Sequence, residues 1–581
     1  MPSPHDTLAP LLSAAIATAF GDEHRDADPV LRPSQFADLQ ANFALPLAKR
    51  LGMPPREIAS RVVAELDLAG VCSGVDVSGP GFVNLTLADS WIASAVRAVS
   101  DDPRLGVAAE QERVVVLDYS APNVAKEMHV GHLRTTVVGD ALARTLEHLG
   151  HNVIRQNHVG DWGANFGMLV EHLLAVGEGS EAARLVETDP NAFYQAARDA
   201  SESDPEVMAR ARARALALQE RDPETVRLWT YLVDLAKHYF NGIYAALDIT
   251  LTDADLAGES TYNDALPGVC AELEAKGIAT VSDGALCVFL PEFTGREGKP
   301  VPLIVRKSDG GYGYATTDLA TIRHRVEDLG ADRVLYVVGA PQSLHFQMIF
   351  ATARVAGWLP DDVQVVHVQI GNVLGEDRKI LRTREGKALR LGALVDEAVD
   401  AARGVLDEAR PDLDPGTRHT LARQIGVGAI KYADLSVAHD SEYVFDLARM
   451  VSLTGNTGPY VQYAAARVRS IFRSAGVQIG VGEGDEARRI VIGDPAERAL
   501  ALALLEFGSV VRGVGSELEP HRLCAYLFDL AQTFSAFYEA CPVLKAPDAE
   551  SRESRLGLCA TTFRVMEQGL ALLGIATPDQ M

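Results

Sequence analysis

Residues 114–149 constrain the fold more than any other stretch. Val114-Val115-Val116-Leu117 is an unbroken β-branched and apolar run, which suits a parallel strand buried on both faces. Leu133, Val137, Val138, Leu142, Leu146 and Leu149 then recur with helical period. Between strand and helix lies a polar turn holding His129, Gly131 and His132. A helix N-terminus presents unpaired N–H groups and the positive end of a dipole, so such a junction is where α/β proteins place phosphate chemistry.

The remaining strands extend this reading. Arg333-Val-Leu-Tyr-Val-Val-Gly-Ala and Val363-Gln-Val-Val-His-Val-Gln-Ile are further buried runs. Asn152-Val-Ile-Arg-Gln leads into a glycine-rich loop carrying His158, Asp161 and Trp162. Polar tips at 123–132, 158–162 and 342–345 therefore converge on the C-terminal edge of one parallel sheet, where open α/β sheets bind ligands. Leu286-Cys-Val-Phe-Leu and Val301-Pro-Leu-Ile-Val read as short strands, and Asp309-Gly-Gly-Tyr as a hairpin turn.

A chain of 581 residues exceeds one core, so about three domains are expected. Residues 1–105 read as an α+β module. Its helix from Asn42 ends at Gly52, and a strand places Phe82 and Asn84 on one face. Core packing is the plainer reading of Phe82. Residues 106–412 read as a Rossmann-like parallel-sheet unit with helical insertions at about 175–245, and 413–581 as an all-α bundle. Within the bundle, helices are expected at 417–432, 461–474, 495–515, 520–540 and 552–573.

Composition excludes little but is consistent. Hydrophobic content is 47% and charged content 23%, ordinary for a globular protein. Apolar runs are short and interrupted, and the N-terminus lacks a basic region before an apolar segment, so neither a membrane nor a secretory signal is expected. The six cysteines form no CxxC pair, so zinc and a disulfide framework are not expected, and a reducing cytoplasm fits. Taken alone, the net charge of −25 argues against a nucleic-acid binder, whose footprint is usually basic. A local excess can still coexist with an acidic bulk: Arg378, Lys379, Arg382, Arg384, Lys387 and Arg390 fall within thirteen positions. A triphosphate, a nucleic acid or a plain exposed turn would each explain that loop. Tyr460 and Tyr463 stand one helical turn apart on the helix that carries Arg469 and Arg473, which suits stacking on unpaired bases or simple half-burial.

Together these segments carry a resemblance. Asp118-Tyr-Ser-Ala-Pro-Asn-Val-Ala-Lys-Glu-Met-His-Val-Gly-His-Leu-Arg is similar to the signature of arginyl-tRNA synthetases, a class I aminoacyl-tRNA synthetase family, with His129-Val-Gly-His132 as its HIGH motif. Asn157-His-Val-Gly-Asp-Trp-Gly, Gly258-Glu-Ser, Tyr312-Gly-Tyr-Ala-Thr-Thr-Asp, Ala429-Ile-Lys-Tyr-Ala-Asp-Leu-Ser, Gly458-Pro-Tyr-Val-Gln-Tyr-Ala and the Gly-Pro-Gly-Phe-Val-Asn of the N-terminal module match the family in order.

The resemblance implies an arginine–tRNA ligase that uses ATP with Mg2+ to form arginyl-adenylate and then charges tRNA(Arg), acting as a cytoplasmic monomer. By resemblance, Lys126, His129, Gly131, His132, Thr383 and Arg384 bind ATP, with Lys126, His129, His132 and Arg384 catalytic. The KMSKS counterpart is the degenerate Leu381-Arg-Thr-Arg-Glu-Gly, and Lys126 is the cation that compensates for its missing second lysine. Asn123, Glu259, Tyr314, Asp318 and Gln342 match arginine-binding positions. Phe82, Asn84, Tyr460, Tyr463, Tyr538 and Met581 match tRNA-contacting positions. A zinc pair at His129 and His132 is set aside, since no third ligand has matching spacing. Another HxGH nucleotidyltransferase is the alternative enzyme reading. A non-catalytic tRNA-binding relative is the other, and it predicts lost active-site residues that are in fact present.

Overall fold

The computed structural model describes residues 3–124, 126–295, 298–381, 389–479 and 489–581. At its centre are four parallel strands in the order Gln364–Ile370, Arg333–Gly339, Val114–Asp118, Asn152–Gln156. Val115, Val116, Leu117, Val334, Leu335, Tyr336 and Val337 are all buried, as the unbroken apolar runs require of strands covered on both faces. The chain leaves Val114–Asp118 toward one edge and later returns on its other side at Arg333–Gly339. The order reverses between these two strands, so a crevice opens outside their C-terminal ends.

The signature helix Val130–Leu149 packs beneath this crevice and stops at Gly150, which takes a left-handed cap at φ 101°. Gly139 inside it has a packing reason: the Tyr119 ring occupies the space a Cβ would need. The expected insertion at about 175–245 is helical from further upstream. Helices run Ala164–Val176, Glu181–Thr188, Pro190–Ser203, Pro205–Gln219 and Pro223–Ala246. In the Arg210-Ala-Arg-Ala-Arg run, Arg210 and Arg212 are exposed and Arg214 is half-buried. Arg210 pairs with Glu171 at 2.6 Å across a close helix crossing, where Gly167 lies against the Ala211 carbonyl.

A small antiparallel sheet, Ala279–Ser282, Ala285–Val288 and Leu303–Arg306, supports a second apolar core with helices Leu266–Ala275, Tyr314–Glu327 and Ser343–Ala356. Its hairpin turn is Asp283-Gly284, both with positive φ (50° and 80°), as a two-residue primed turn demands. Asp309-Gly-Gly-Tyr, expected as a hairpin, instead turns the strand Leu303–Arg306 into the helix beginning at Tyr314.

The N-terminal module is a four-stranded antiparallel sheet ordered Leu31–Pro33, Leu39–Ala41, Phe82–Leu87, Cys72–Ser78. Val83, Leu85 and Leu87 fill its core, so Phe82 and Asn84 point to the opposite face and Phe82 stays half-buried. The bundle comprises Pro415–Leu435, Gly458–Ala475, Pro495–Leu505, Phe507–Glu517, His521–Ala540 and Ala549–Leu572. The expected single helix at 495–515 breaks at Glu506. The stretch Pro495–Glu517 has the length and apolarity of a membrane-crossing helix. Leu500, Leu504, Phe507, Val511 and Val514 are nonetheless buried among neighbouring helices, which accounts for that apolarity as core packing.

Candidate active site

The crevice is entered through a strained turn. Ser120 and Ala121 come directly after the central strand with φ of 71° and 46°, a region that non-glycine residues rarely occupy. Such backbone persists only when its surroundings over-determine it. Here the Ser120 hydroxyl hydrogen-bonds the Tyr244 hydroxyl at 2.8 Å and accepts from Thr136 at 2.9 Å. Asn157 accepts the Ala121 N–H at 3.1 Å and donates to Tyr244 at 2.9 Å. The chain then runs beside Gly160, with Val124 N–H donating to the Gly160 carbonyl at 3.2 Å. Gly160 makes room for Asn123, whose Oδ1 lies 2.7 Å from where a Cβ would sit. Asn123 is left exposed at the crevice.

The two histidines form a reciprocal cap. His129 Nδ1 accepts the Gly131 N–H at 3.0 Å, and His132 Nδ1 accepts the His129 N–H at 3.1 Å. With both Nδ1 atoms used as acceptors, the neutral rings carry their protons on Nε2. Burial pushes His132 down to about 3, with the His129 ring adding to the effect; burial and then Lys126 hold His129 below the usual imidazole range. Both are therefore neutral Nε2–H donors at pH 7. Gly131 is needed because the His129 ring lies over it, Cε1 being 2.7 Å from a would-be Cβ. Lys126 is exposed, with its ammonium 4.3 Å from the centre of the Tyr194 ring.

The far end of the basic loop is tied to this motif. Val130 N–H donates to the Leu389 carbonyl and Leu391 N–H to that of Met128, both at 2.9 Å. Arg382, Thr383, Arg384 and Lys387 lie outside the described residues. A cavity of about 310 Å³ lies alongside, lined in part by His129, Gly131, Gly339, Asn372 and Leu381. Its floor is fixed by buried Arg134, which pairs with Asp434 at 3.2 Å and donates to the Ser441 and Ala438 carbonyls.

Across the crevice is an acidic pocket. Gly258-Glu259-Ser260 is built around buried Asp161: its carboxylate fills the Cβ position of Gly258 and accepts from Ser260 N–H (2.9 Å) and Oγ (2.6 Å). Glu259 is pushed up to about 8, by burial first and then by the negative charges of Asp161 and Asp318. Asp318, from the second turn of helix Tyr314–Glu327, accepts from His345 Nε2 at 2.5 Å. Tyr314 opens that helix at 70% exposure, within the electrostatic reach of Glu259. Gln342 is exposed at the tip after Arg333–Gly339. Tyr314 and Asp318 are thus brought within electrostatic reach of Glu259, while Asn123 and Gln342 are exposed after the C-terminal ends of the two central strands. Sequence reasoning placed Asp161 and His345 on the sheet's polar tips but gave neither a role. Ser260 passed unnoticed, although Gly258-Glu-Ser carried the signal.

The expected tRNA-contacting residues fall into separate places. Asn84 is buried, accepting from Gln40 at 2.8 Å and donating to Ser78 at 2.9 Å. Tyr460 packs on Phe528, Tyr463 is 40% exposed, and Arg467 stacks over Tyr538 at 4.4 Å, so the three tyrosines gather near one helix face. Met581 packs instead against the apolar cluster of Ala402, Leu406, Leu413, Leu421, Ala422 and Ile425, and receives Arg410 on its carbonyl. Arg469 and Arg473 are both engaged by Asp579, and Arg469 also by Glu567.

Three family models match the chain in succession: the Arginyl tRNA synthetase N terminal domain at residues 6–87, tRNA synthetases class I (R), catalytic domain, at 95–447, and the DALR anticodon binding domain at 461–581. An arginine–tRNA ligase of Thermobifida fusca is 63% identical over 581 residues, covering 100% of both chains. One of Erwinia tasmaniensis is 46% identical over 560 residues, 96% of each. The fold matches the arginyl-tRNA synthetase of Plasmodium falciparum with a TM-score of 0.85 at 28% identity over 100% of both chains. It matches that of Thermus thermophilus with a TM-score of 0.78 at 27% identity, over 98% of this chain and 99% of the other. The likeness runs from the N-terminal module through the crevice to the bundle, and the chain belongs to the arginyl-tRNA synthetase family of class I aminoacyl-tRNA synthetases.

Proposed function

We propose that the chain is an arginine–tRNA ligase that works through the crevice at the sheet's switch point. The observation that carries this reading is the pairing of a neutral two-histidine cap and Lys126 with a carboxylate pocket across the same crevice. In the first step an arginine carboxylate oxygen attacks the α-phosphorus of ATP, the bond to the β-phosphate oxygen breaks, and pyrophosphate leaves with the electron pair. His129 and His132 donate Nε2–H bonds to phosphate oxygens at the helix N-terminus, and Lys126 offsets the charge that develops on them. Thr383 and Arg384 are assigned to the same task from the sequence pattern. Glu259 and Asp318 receive the guanidinium by charge-assisted hydrogen bonds, beside the Tyr314 hydroxyl, while Asn123 and Gln342 hold the amino-acid backbone groups. In the second step a ribose hydroxyl of the tRNA's terminal adenosine attacks the arginyl carbon, loses its proton, and displaces AMP.

Phe82, Asn84, Tyr460, Tyr463, Tyr538 and Met581 contact the tRNA in this reading, with the chain divided at 1–105, 106–412 and 413–581. Magnesium enters with ATP, zinc plays no part, and the chain acts as a cytoplasmic monomer. Exchange of pyrophosphate into ATP by the purified chain, with arginine or lysine and with or without tRNA, tests the activity. Arginine-specific exchange is expected, and no exchange or charging in any condition overturns the reading. Lys126→Ala should cut exchange by about 100-fold while leaving tRNA affinity within about twofold. Equal loss of both removes Lys126 from the phosphate site.

A further inference from the structure

The helices from Ala164–Val176 to Pro223–Ala246 carry no residue of the mechanism above, yet one corner of them grips it. At the start of Pro190–Ser203, Asp189 caps the helix through Ala192 N–H and also pairs with Arg390 at 3.2 Å. Asn191 accepts the Glu127 N–H at 3.2 Å and donates back to the Glu127 carboxylate. Glu127 in turn pairs with Arg390 at 2.8 Å. One turn on, Tyr194 places its ring under the Lys126 ammonium at 4.3 Å. One corner therefore touches both sides of the phosphate site: the signature turn at 126–127 and the residue bridged to His129 beyond the basic loop.

A lysine on an exposed turn has many rotamers, and holding it in one costs side-chain entropy. Among the described residues, no carboxylate pairs with Lys126. A carboxylate would compete with phosphate for the ammonium, whereas an aromatic face holds the cation weakly and leaves its charge available. We propose that Tyr194 is a positioning residue for amino-acid activation, holding the Lys126 ammonium in place for ATP through its ring. This rests on the reading of Lys126 as the phosphate-binding cation.

The test uses the full chain with arginine and tRNA, reading pyrophosphate exchange with KM for ATP and for arginine separated from kcat. Tyr194→Phe keeps the ring and should stay within about twofold of the parent. Tyr194→Leu keeps apolar packing but loses the ring face, and should lower kcat/KM for ATP by about 5- to 30-fold, with KM for arginine within about twofold. In a Lys126→Ala background the Tyr194→Leu change should add less than about twofold. Thermal unfolding of each variant controls for folding, and Tyr194→Gln replaces Tyr194→Leu if the latter does not fold. Equal activity of the Phe and Leu (or Gln) variants overturns the proposal, as does an undiminished effect in the Lys126→Ala background; neither result touches the phosphate role of Lys126. Normal exchange by Lys126→Ala alone would overturn that role, and this proposal with it.

Discussion

Glu259 sets a measurable feature of the pocket. Its carboxyl is half-buried and the charges that reach it are those of Asp161 and Asp318, so it holds its proton up to about pH 8 when the pocket is empty. Between 4.5 and about 8 the folded chain binds a proton here that the unfolded chain lacks, so this group's contribution to stability falls as pH rises through that window. A guanidinium favours the carboxylate. Arginine binding at pH 7 should therefore release a proton, and affinity should rise with pH toward 8, by at most about tenfold per unit, then level off. Titration calorimetry in buffers of different ionisation enthalpy reads the proton directly. Glu259→Gln should bind arginine more weakly and lose the buffer dependence. An unchanged buffer dependence in that variant would place the proton elsewhere. Little of this was legible in sequence. His129, Gly131 and His132 announce a phosphate turn by residue type and spacing, but Glu259, Asp161 and Asp318 are separated by up to 157 positions and owe their coupling to the fold alone.

At the scale of elements, long periodic segments were readable because one side chain pattern decides them. The four parallel strands and the signature helix fall at the expected positions, but Gln364–Ile370, expected as a buried run, is an edge strand on which only Val368 and Ile370 are buried. Turns were harder. Asp283-Gly284 makes a hairpin and Asp309-Gly310 does not, although the dipeptides are the same. The difference lies downstream in the chain: Ala285–Val288 can pair back, while Tyr314 begins a helix whose Thr316 hydroxyl bonds the Val305 carbonyl. The break at Glu506 comes two residues before Gly508, a poor helix former held against the Gly106 carbonyl where a Cβ would not fit, so local propensity and tertiary packing meet there. The signature helix offers a direct test of how an element supports the site. Tyr119 starts the strained turn and packs where a Cβ on Gly139 would be. Gly139→Ala should therefore cost about 1–3 kcal/mol and shift the turn, lowering exchange more than tRNA binding. Denaturant unfolding with parallel exchange assays would show it, and a variant of parental stability and activity would mean that Tyr119 relaxes freely.

On the scale of the whole molecule, arginines join the modules. Arg498 of the bundle grips Asp38 at 2.6 and 2.8 Å and Asp89 at 2.8 Å, and donates to the Leu87 carbonyl. Arg512 reaches Asp6, and Arg564 reaches the Ser100 and Asp102 carbonyls. The N-terminal module is thus anchored on the bundle, far along the chain from it, while the crevice belongs to the unit between them. No sequence pattern could show this, because an arginine on a helix face reads the same whether it meets water or a distant aspartate. Burial would raise Asp38, yet the Arg498 guanidinium and the Leu87 N–H together hold its carboxyl below the usual range, so this anchor persists above pH 3.8 and is lost as pH falls through the lowered value. Two parallel charge-assisted bonds on a largely shielded carboxylate are worth about 1–3 kcal/mol. Arg498→Ala should accordingly raise the population of an undocked N-terminal module by about 5- to 150-fold. Limited proteolysis within residues 102–113 should quicken in proportion, with pyrophosphate exchange unchanged because the crevice is untouched. If cleavage there is no faster, the apolar contact between Asp89–Asp101 and Pro495–Leu505 carries the docking by itself.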